Sequence, residues 1–164
     1  MIIRKSPEEI DRMRRAGRLV GHTLSTVTAA ARPGVTLLDL DRLAERTIRA
    51  GNGIPSFLGY PGGVGIPFPG TLCLSPNDWV VHGIPNGYVL QEGDILSIDC
   101  GAIVDGYHGD AAVTIPIGRV DEAARLLGDA LAESIELFDG VSGEELRRQR
   151  RVRFRTIGQI AATP

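Results

Sequence analysis

Two aspartates, Asp99 and Asp110, lie in a stretch that predicts a β-hairpin with carboxylates able to bind cations. Apolar strand formers flank the dipeptide Asp105-Gly106, which suits a two-residue turn because both residues tolerate positive φ. With that turn, Gly101 pairs with Asp110, so the two aspartates share one face of the hairpin. They become diagonal neighbours whose backbones lie about 7–8 Å apart.

The two carboxylates are expected to approach each other over Gly101, which has no side chain to separate them. Adjacent carboxylates repel one another unless a proton or a cation lies between them. A pair of divalent ions about 3.5–4 Å apart suits this geometry. The alternative is an ordinary acidic hairpin. We favour metal binding, because aspartate is disfavoured on strands and the surrounding sequence is apolar.

The amino-acid composition limits which classes of protein this chain can belong to. The 164 residues are 43% hydrophobic and 23% charged, as expected of one soluble globular domain. No segment resembles a membrane span or a secretory signal. The two cysteines, Cys73 and Cys100, lack CxxC spacing. They predict neither a disulfide framework nor a zinc knuckle, and they favour a reducing cytoplasm.

Charge is distributed unevenly along the chain. No lysine or arginine lies between Arg49 and Arg119, whereas six acidic residues lie in that stretch, from Asp78 to Asp110. This pattern favours a bound cation and argues against a phosphate or nucleic-acid site there. Arginines cluster again near the C-terminus, at positions 147, 148, 150, 151, 153 and 155. They could contact RNA, although a solvated tail is the preferred interpretation.

Two helices are predicted to precede the hairpin. Ser6, Pro7 and Glu9 form a helix start with a capping box, and apolar residues follow at helical spacing. Residues 32–34, Arg-Pro-Gly, end this helix. Thr36 then caps a second helix.

The segment Gly53–Gly70 is rich in glycine and proline and predicts a loop that carries Phe57, Tyr60 and Phe68. Apolar side chains on such a loop either line a pocket or fasten the loop to the core. The sequence leaves both alternatives open.

Short strands are predicted over residues 71–75 and 79–81, with His82 at the end of the second. An imidazole there can point into a cleft and transfer a proton near pH 7, although one histidine is weak evidence. His108 is expected on the same hairpin face as Asp110, where it would either support the site from behind or be structural, and would not be a metal ligand.

Five blocks of the sequence resemble type I methionine aminopeptidases over residues 1 to about 118. In order, they are SPEEIDRMRRAGRLV, RPGVTLLDLDRLAE, SFLGY, CLSPNDWVVHGIP and GDILSIDCGAIVDGYHGDAAVT. VHGIP and IDxGxxxDGYHGD are the most specific. The resemblance implies the α/β pita-bread fold, here an incomplete N-terminal half with an antiparallel sheet and two flanking helices.

The resemblance also implies a metallo-aminopeptidase that removes the initiator methionine from nascent proteins with a metal-activated water. Asp99 and Asp110 would bind two divalent ions (cobalt, manganese, iron or zinc), in agreement with the hairpin argument. His82 would contact the substrate and assist catalysis. The methionine pocket would be lined by Phe57, Tyr60, Phe68 and Cys73. Phe68 replaces a usual tyrosine and Phe57 a smaller residue, and a GGVGI-like insert precedes Phe68.

The expected partner is the N-terminal methionine of nascent peptides, with the ribosome as a further candidate. We expect a cytoplasmic monomer that binds neither membrane nor DNA.

The resemblance weakens after residue 128. The family's other metal ligands, one His and two Glu, have no counterpart in this sequence. We therefore expect residues 1–128 to be the N-terminal portion of the catalytic domain. Residues 129–164 would be a divergent, Arg-rich segment, either disordered or altered by a frame shift over 129–151. The chain would be a truncated enzyme with weak or no activity. The alternative is a non-catalytic peptide- or ribosome-binding module derived from the same fold.

Overall fold

A computed structural model describes residues 4–61, 65–119, 136 and 140–156. The chain divides into two compact units, residues 1–121 and 122–164. The first unit contains helices α1 (Pro7–Ala30) and α2 (Leu37–Ala50) and strands β1 (Ile54–Pro55), β2 (Leu72–Pro76), β3 (Ile95–Val104) and β4 (Tyr107–Pro116). All strand pairs are antiparallel, so the antiparallel sheet with two helices is confirmed.

Strand β3 is the centre of the sheet. It pairs with β4 along its whole length on one edge and with β2 and β1 on the other. Because side chains alternate along a strand, Ile98, Cys100 and Ala102 point to one face and are fully buried. Asp99 and Gly101 belong to the opposite face. The alternation of β3 thus separates the core from the candidate site.

The predicted helix caps are confirmed, and both helices pack on the buried face of the sheet. Glu9 N–H donates to Ser6 Oγ (3.2 Å) and Ser6 N–H donates to Glu9 Oε2 (2.7 Å), which completes a capping box. Thr36 accepts from the backbone of Asp39 at the start of α2. The core joins both helices to the sheet through Val20, Val27, Leu40, Ile48, Leu72, Leu74 and Ile98.

A buried carboxylate, that of Asp94, fixes both ends of the segment between β2 and β3. It accepts hydrogen bonds from Asn77 Nδ2 (2.9 Å), Tyr88 OH (2.9 Å) and Gln91 N–H (2.8 Å). Burial opposes ionisation of Asp94, but these three donors outweigh it and lower its pKa below the usual value. The segment that carries His82 is therefore tied down where it leaves β2 and where it enters β3.

We predict that Asp94→Asn lowers the free energy of unfolding at pH 7 by about 1–3 kcal/mol, because buried donors lose their charged acceptor. Since the folded pKa is depressed, this stabilisation is fully present above the unfolded pKa of about 3.9 and is lost as pH falls through the folded value. Urea unfolding of both proteins between pH 2 and 7 measures it. The exposed Asp78 provides the control Asp78→Asn. A stability difference between the unsubstituted chain and Asp94→Asn that does not shrink at low pH would contradict the prediction.

The second unit contains α3 (Gly143–Thr156). At its start Ser142 Oγ accepts from Glu145 N–H (3.2 Å), and Glu145 pairs with Arg148 (2.6 Å). The expected boundary at residue 128, and residues 129–135 and 137–139 of the 129–151 stretch, lie outside the described residues, so that division stays a prediction. In the described ranges, no helix combines the length and apolar character that crossing a membrane requires.

Candidate active site

The β3–β4 hairpin places Asp99 and Asp110 in the predicted register. Asp105 has a φ of 50° and Gly106 a φ of 79°, so both turn residues occupy the left-handed region that such a turn requires. Asp110 pairs with Gly101, two residues from Asp99. The two aspartates are therefore diagonal neighbours, and both line the same cavity.

The negative charge of Asp110 affects the ionisation of Asp99. Burial, and then the negative charge of Asp110, raise the pKa of Asp99, while His82 opposes the shift. Burial and the charges of both aspartates also raise the pKa of Cys73, the cross-strand neighbour of Asp99, to about 11. The Cys73 thiol therefore stays protonated near neutral pH, and a cation between the aspartates would relieve their repulsion.

His82 reaches the site because the following glycine docks onto β2. Leu74 N–H donates to the Gly83 carbonyl (2.9 Å), and Gly83 N–H donates to Ser75 Oγ (3.1 Å). A Cβ atom at Gly83 would overlap the Leu74 carbonyl oxygen, so this approach requires glycine. His82 has a φ of 58°, and its side chain lines the cavity together with Asp99.

The predicted strand over residues 79–81 is wrong. These residues pair with no strand of the described chain, and Val80 and Val81 are 88% and 66% exposed. Trp79 instead lies beside Tyr88, with ring centroids 6.2 Å apart. β-Branched residues favour strands where a half-buried pleated surface receives them, and the segment finds no such surface here.

The Gly- and Pro-rich segment forms a loop held by its own backbone. Gly59 N–H donates to Phe68 O, Phe68 N–H to Tyr60 O and Tyr60 N–H to Phe57 O, each at 2.9 Å. The side chains of Phe57, Tyr60 and Phe68 line the cavity. Both alternatives apply, because all three residues line the pocket and the Phe57 ring also packs against the sheet at Gly101. Residues 62–64, within the insert, lie outside the described residues.

The space over Gly101 is occupied by the loop that carries Ser56 and Phe57, and the approach of the two carboxylates over this position stays a prediction. A Cβ atom on Gly101 would lie 2.8 Å from Phe57 Cε1 and 2.8 Å from Ser56 Cβ. Ser56 Oγ lies 3.1 Å from His108 Nδ1, which gives His108 a structural role, one of the two predicted for it. The aromatic loop therefore begins directly on the sheet, beside the two aspartates.

One cavity of about 820 Å³ gathers every site residue predicted from the sequence. These residues are Phe57, Tyr60, Phe68, Cys73, His82, Asp99 and Asp110. The lining also includes Ile66, one of the apolar loop residues for which a pocket was one alternative, and Ile84 with prolines 61, 67 and 69, which sequence reasoning did not assign to the site. Their position next to predicted residues in the chain was the only available signal.

Asp99 and Asp110 have the charge and the oxygen donors that suit a divalent cation, but two residues are too few ligands to complete its coordination. Divalent cations in proteins take four or more ligands, and hard cations prefer oxygen. Among the described residues, no group of three or more His, Cys, Asp or Glu side chains is placed to hold a metal ion. The residues present therefore fit part of a metal site.

Comparisons with known proteins relate this chain to proteins named methionine aminopeptidase. The chain is 53% identical over 142 residues to the methionine aminopeptidase of Clostridium acetobutylicum, and the matched region covers 86% of this chain and 54% of that protein. It is 44% identical over 148 residues to methionine aminopeptidase 1 of Bacillus subtilis, with coverages of 89% and 58%. The chain thus spans about half the length of the curated relatives it matches.

Solved structures agree. Methionine aminopeptidase from Rickettsia prowazekii superposes with a TM-score of 0.71 at 37% identity, over 77% of this chain and 49% of that one. The Thermotoga maritima enzyme gives 0.70 at 39% identity, with the same coverages. These similarities confirm the predicted pita-bread fold, in incomplete form. The profile of metallopeptidase family M24 matches residues 11–159, and the chain belongs to this family.

Proposed function

We propose that this chain provides the N-terminal half of a methionine aminopeptidase site, which removes the initiator methionine from nascent proteins. One observation carries the proposal: the seven residues assigned to this activity from the sequence line one cavity. The identity to named methionine aminopeptidases supports it. A cytoplasmic, monomeric protein that meets its substrate near the ribosome belongs to the same proposal.

In this proposal Asp99 and Asp110 hold divalent cations of the cobalt, manganese, iron or zinc type. When bound, such ions supply an activated water and polarise the scissile carbonyl. His82, whose side chain lines the cavity, donates a hydrogen bond to the reacting amide or its tetrahedral intermediate. Its position depends on the Gly83 contact with β2.

The apolar part of the cavity suits a methionine side chain. Phe57, Tyr60 and Phe68 present aromatic rings, and thioether–aromatic contacts are favourable. Cys73 remains a neutral thiol because its pKa is raised to about 11, so it adds a polarisable wall and not a nucleophile. No Lys or Arg lies between positions 49 and 119, which disfavours acidic side chains as ligands of this cavity.

The purified chain is predicted to bind L-methioninamide in this cavity but to release little methionine from a Met-Ala peptide, since two carboxylates alone hold metals weakly. NMR titration should perturb the seven cavity residues with L-methioninamide and much less with L-lysinamide. Tyr60→Ala should weaken binding by about tenfold, because stacking and burial are lost.

The proposal would be contradicted if the perturbed NMR signals came from residues outside the cavity, or if both amides bound equally. Robust turnover of Met-Ala by the chain alone would instead contradict the claim that the metal site is incomplete.

A further inference from the structure

Gly101 occupies the corner of the site where a side chain would be closest to both aspartates. In the register of β3 and β4 it lies directly opposite Asp110 and two residues from Asp99. The ring of Phe57 fills that corner, with Cε1 and Cζ 2.8 and 3.1 Å from the position of a Cβ on Gly101. The ring therefore borders the part of the cavity nearest the carboxylates.

Ser56, which also contacts this corner, is held in place from several directions. Its N–H donates to the Gly101 carbonyl (3.0 Å), and its Oγ lies 3.1 Å from His108 Nδ1. The two residues before it pair with β3 as strand β1. Ser56 therefore cannot move away from the sheet without breaking these contacts.

The Phe57 ring, in contrast, has open space beside it. It lines the cavity, and rotation about its two side-chain bonds would carry it into that space. Real Cβ atoms do not approach other heavy atoms within 3.0 Å, so a methyl group at position 101 must displace a neighbour. The methyl group would also lie 2.8 Å from Ser56 Cβ, so Ser56 must shift by a few tenths of an ångström. The ring, which can rotate, makes the larger movement and turns into the cavity.

We propose that Gly101 is a positioning residue for substrate selection. Its missing side chain seats the Phe57 ring against the sheet, and this keeps the cavity deep enough for a long, unbranched apolar side chain beside the carboxylates. The inference rests on the proposed function, because it assumes that a substrate side chain enters this cavity. It assigns the length preference of the cavity to a residue that need not touch the substrate.

The test compares two ligands that differ in side-chain length, L-methioninamide and L-alaninamide. Their affinities are measured by NMR titration of the full 164-residue chain and of Gly101→Ala. We expect Gly101→Ala to weaken L-methioninamide binding by about tenfold, as for the loss of well-fitted apolar contact, and to change L-alaninamide binding by less than about twofold. Phe57→Ala alone removes an aromatic contact and serves as the reference for a double-mutant cycle. In that background, Gly101→Ala should weaken L-methioninamide binding by less than about twofold, since no ring remains to be displaced.

A matched variant, Gly109→Ala, controls for general damage to the fold. Its added Cβ would lie 2.6 Å from the Ala16 carbonyl carbon, on the face of the hairpin that packs against α1. It should lower the melting temperature without altering the ratio of the two affinities. NOEs between the Phe57 ring and the Gly101 α-protons, expected in the unsubstituted chain and weakened in Gly101→Ala, report the ring position without any ligand.

The possible outcomes distinguish failure of the proposed function from failure of the role assigned to Gly101. If the unsubstituted chain binds neither amide, the proposed function fails and the selection role fails with it. If it binds L-methioninamide and Gly101→Ala leaves the affinity ratio unchanged, only the role of Gly101 is overturned. That role is also overturned if Gly101→Ala weakens L-methioninamide binding equally with and without the Phe57 ring, or if Gly109→Ala shifts the ratio equally.

Discussion

The Gly83→Ala variant is expected to melt on the order of 10 °C below the unsubstituted chain and to lose the fixed position of His82. The added methyl group overlaps the carbonyl oxygen of Leu74, so the segment must move away from β2. That movement breaks the hydrogen bonds that Gly83 makes with Leu74 and Ser75. Overpacking and the loss of two hydrogen bonds together cost about 2–5 kcal/mol.

Gly87→Ala is the matched control, because Gly87 lies in the same segment and an added Cβ there meets nothing within 4 Å. It should change the free energy of unfolding by about 0.5 kcal/mol or less. Thermal unfolding followed by circular dichroism gives the stabilities, and NOEs from the His82 ring report its position. Equal melting temperatures for the two variants would show that the contact with β2 does not hold this segment.

Asp110→Asn is expected to have opposite effects on stability with and without divalent metal. Burial and the charge of Asp110 raise the pKa of Asp99. In EDTA the substitution removes that charge, so the variant should be more stable than the unsubstituted chain. With Mn²⁺ the order should reverse, since a cation that binds only the folded state stabilises it. At a metal concentration about 100 times the dissociation constant, the unsubstituted chain gains about 2.7 kcal/mol.

A variant with about 100-fold weaker metal affinity would gain only about 0.4 kcal/mol under the same conditions. The control is Asp105→Asn, on the same hairpin. Asparagine tolerates the positive φ of that turn position, and the Asp105 side chain pairs with Arg15 (3.0 Å) instead of lining the cavity. It should keep the full metal-dependent gain. Denaturant unfolding of each protein in EDTA and in Mn²⁺ gives these stabilities. An undiminished gain in Asp110→Asn would remove Asp110 from the metal site.

Some errors of sequence reasoning have a common physical origin. Residues 79–81 have strand-forming side chains, yet they form no strand. His82, which follows them, has a left-handed backbone with a φ of 58°. The hydrogen bond from Leu74 N–H on β2 goes to the Gly83 carbonyl. Sequence reasoning also missed that Phe57, from a loop far earlier in the chain, occupies the space over Gly101. In both places, a contact between separate segments decided a conformation that the local pattern did not encode.

The sequence alone determined the hairpin register, the two helix caps and the placing of Asp99 and Asp110 on one face. Each follows from interactions within a few residues: a turn that needs positive φ, a side chain that caps its own helix, and the strict alternation of a strand. Tertiary structure alone decided how His82 and the aromatic loop meet the sheet. Those positions depend on close approach of other segments at Gly83 and Gly101. Packing between segments that are distant in the chain determines this approach, and local sequence periodicity does not predict it.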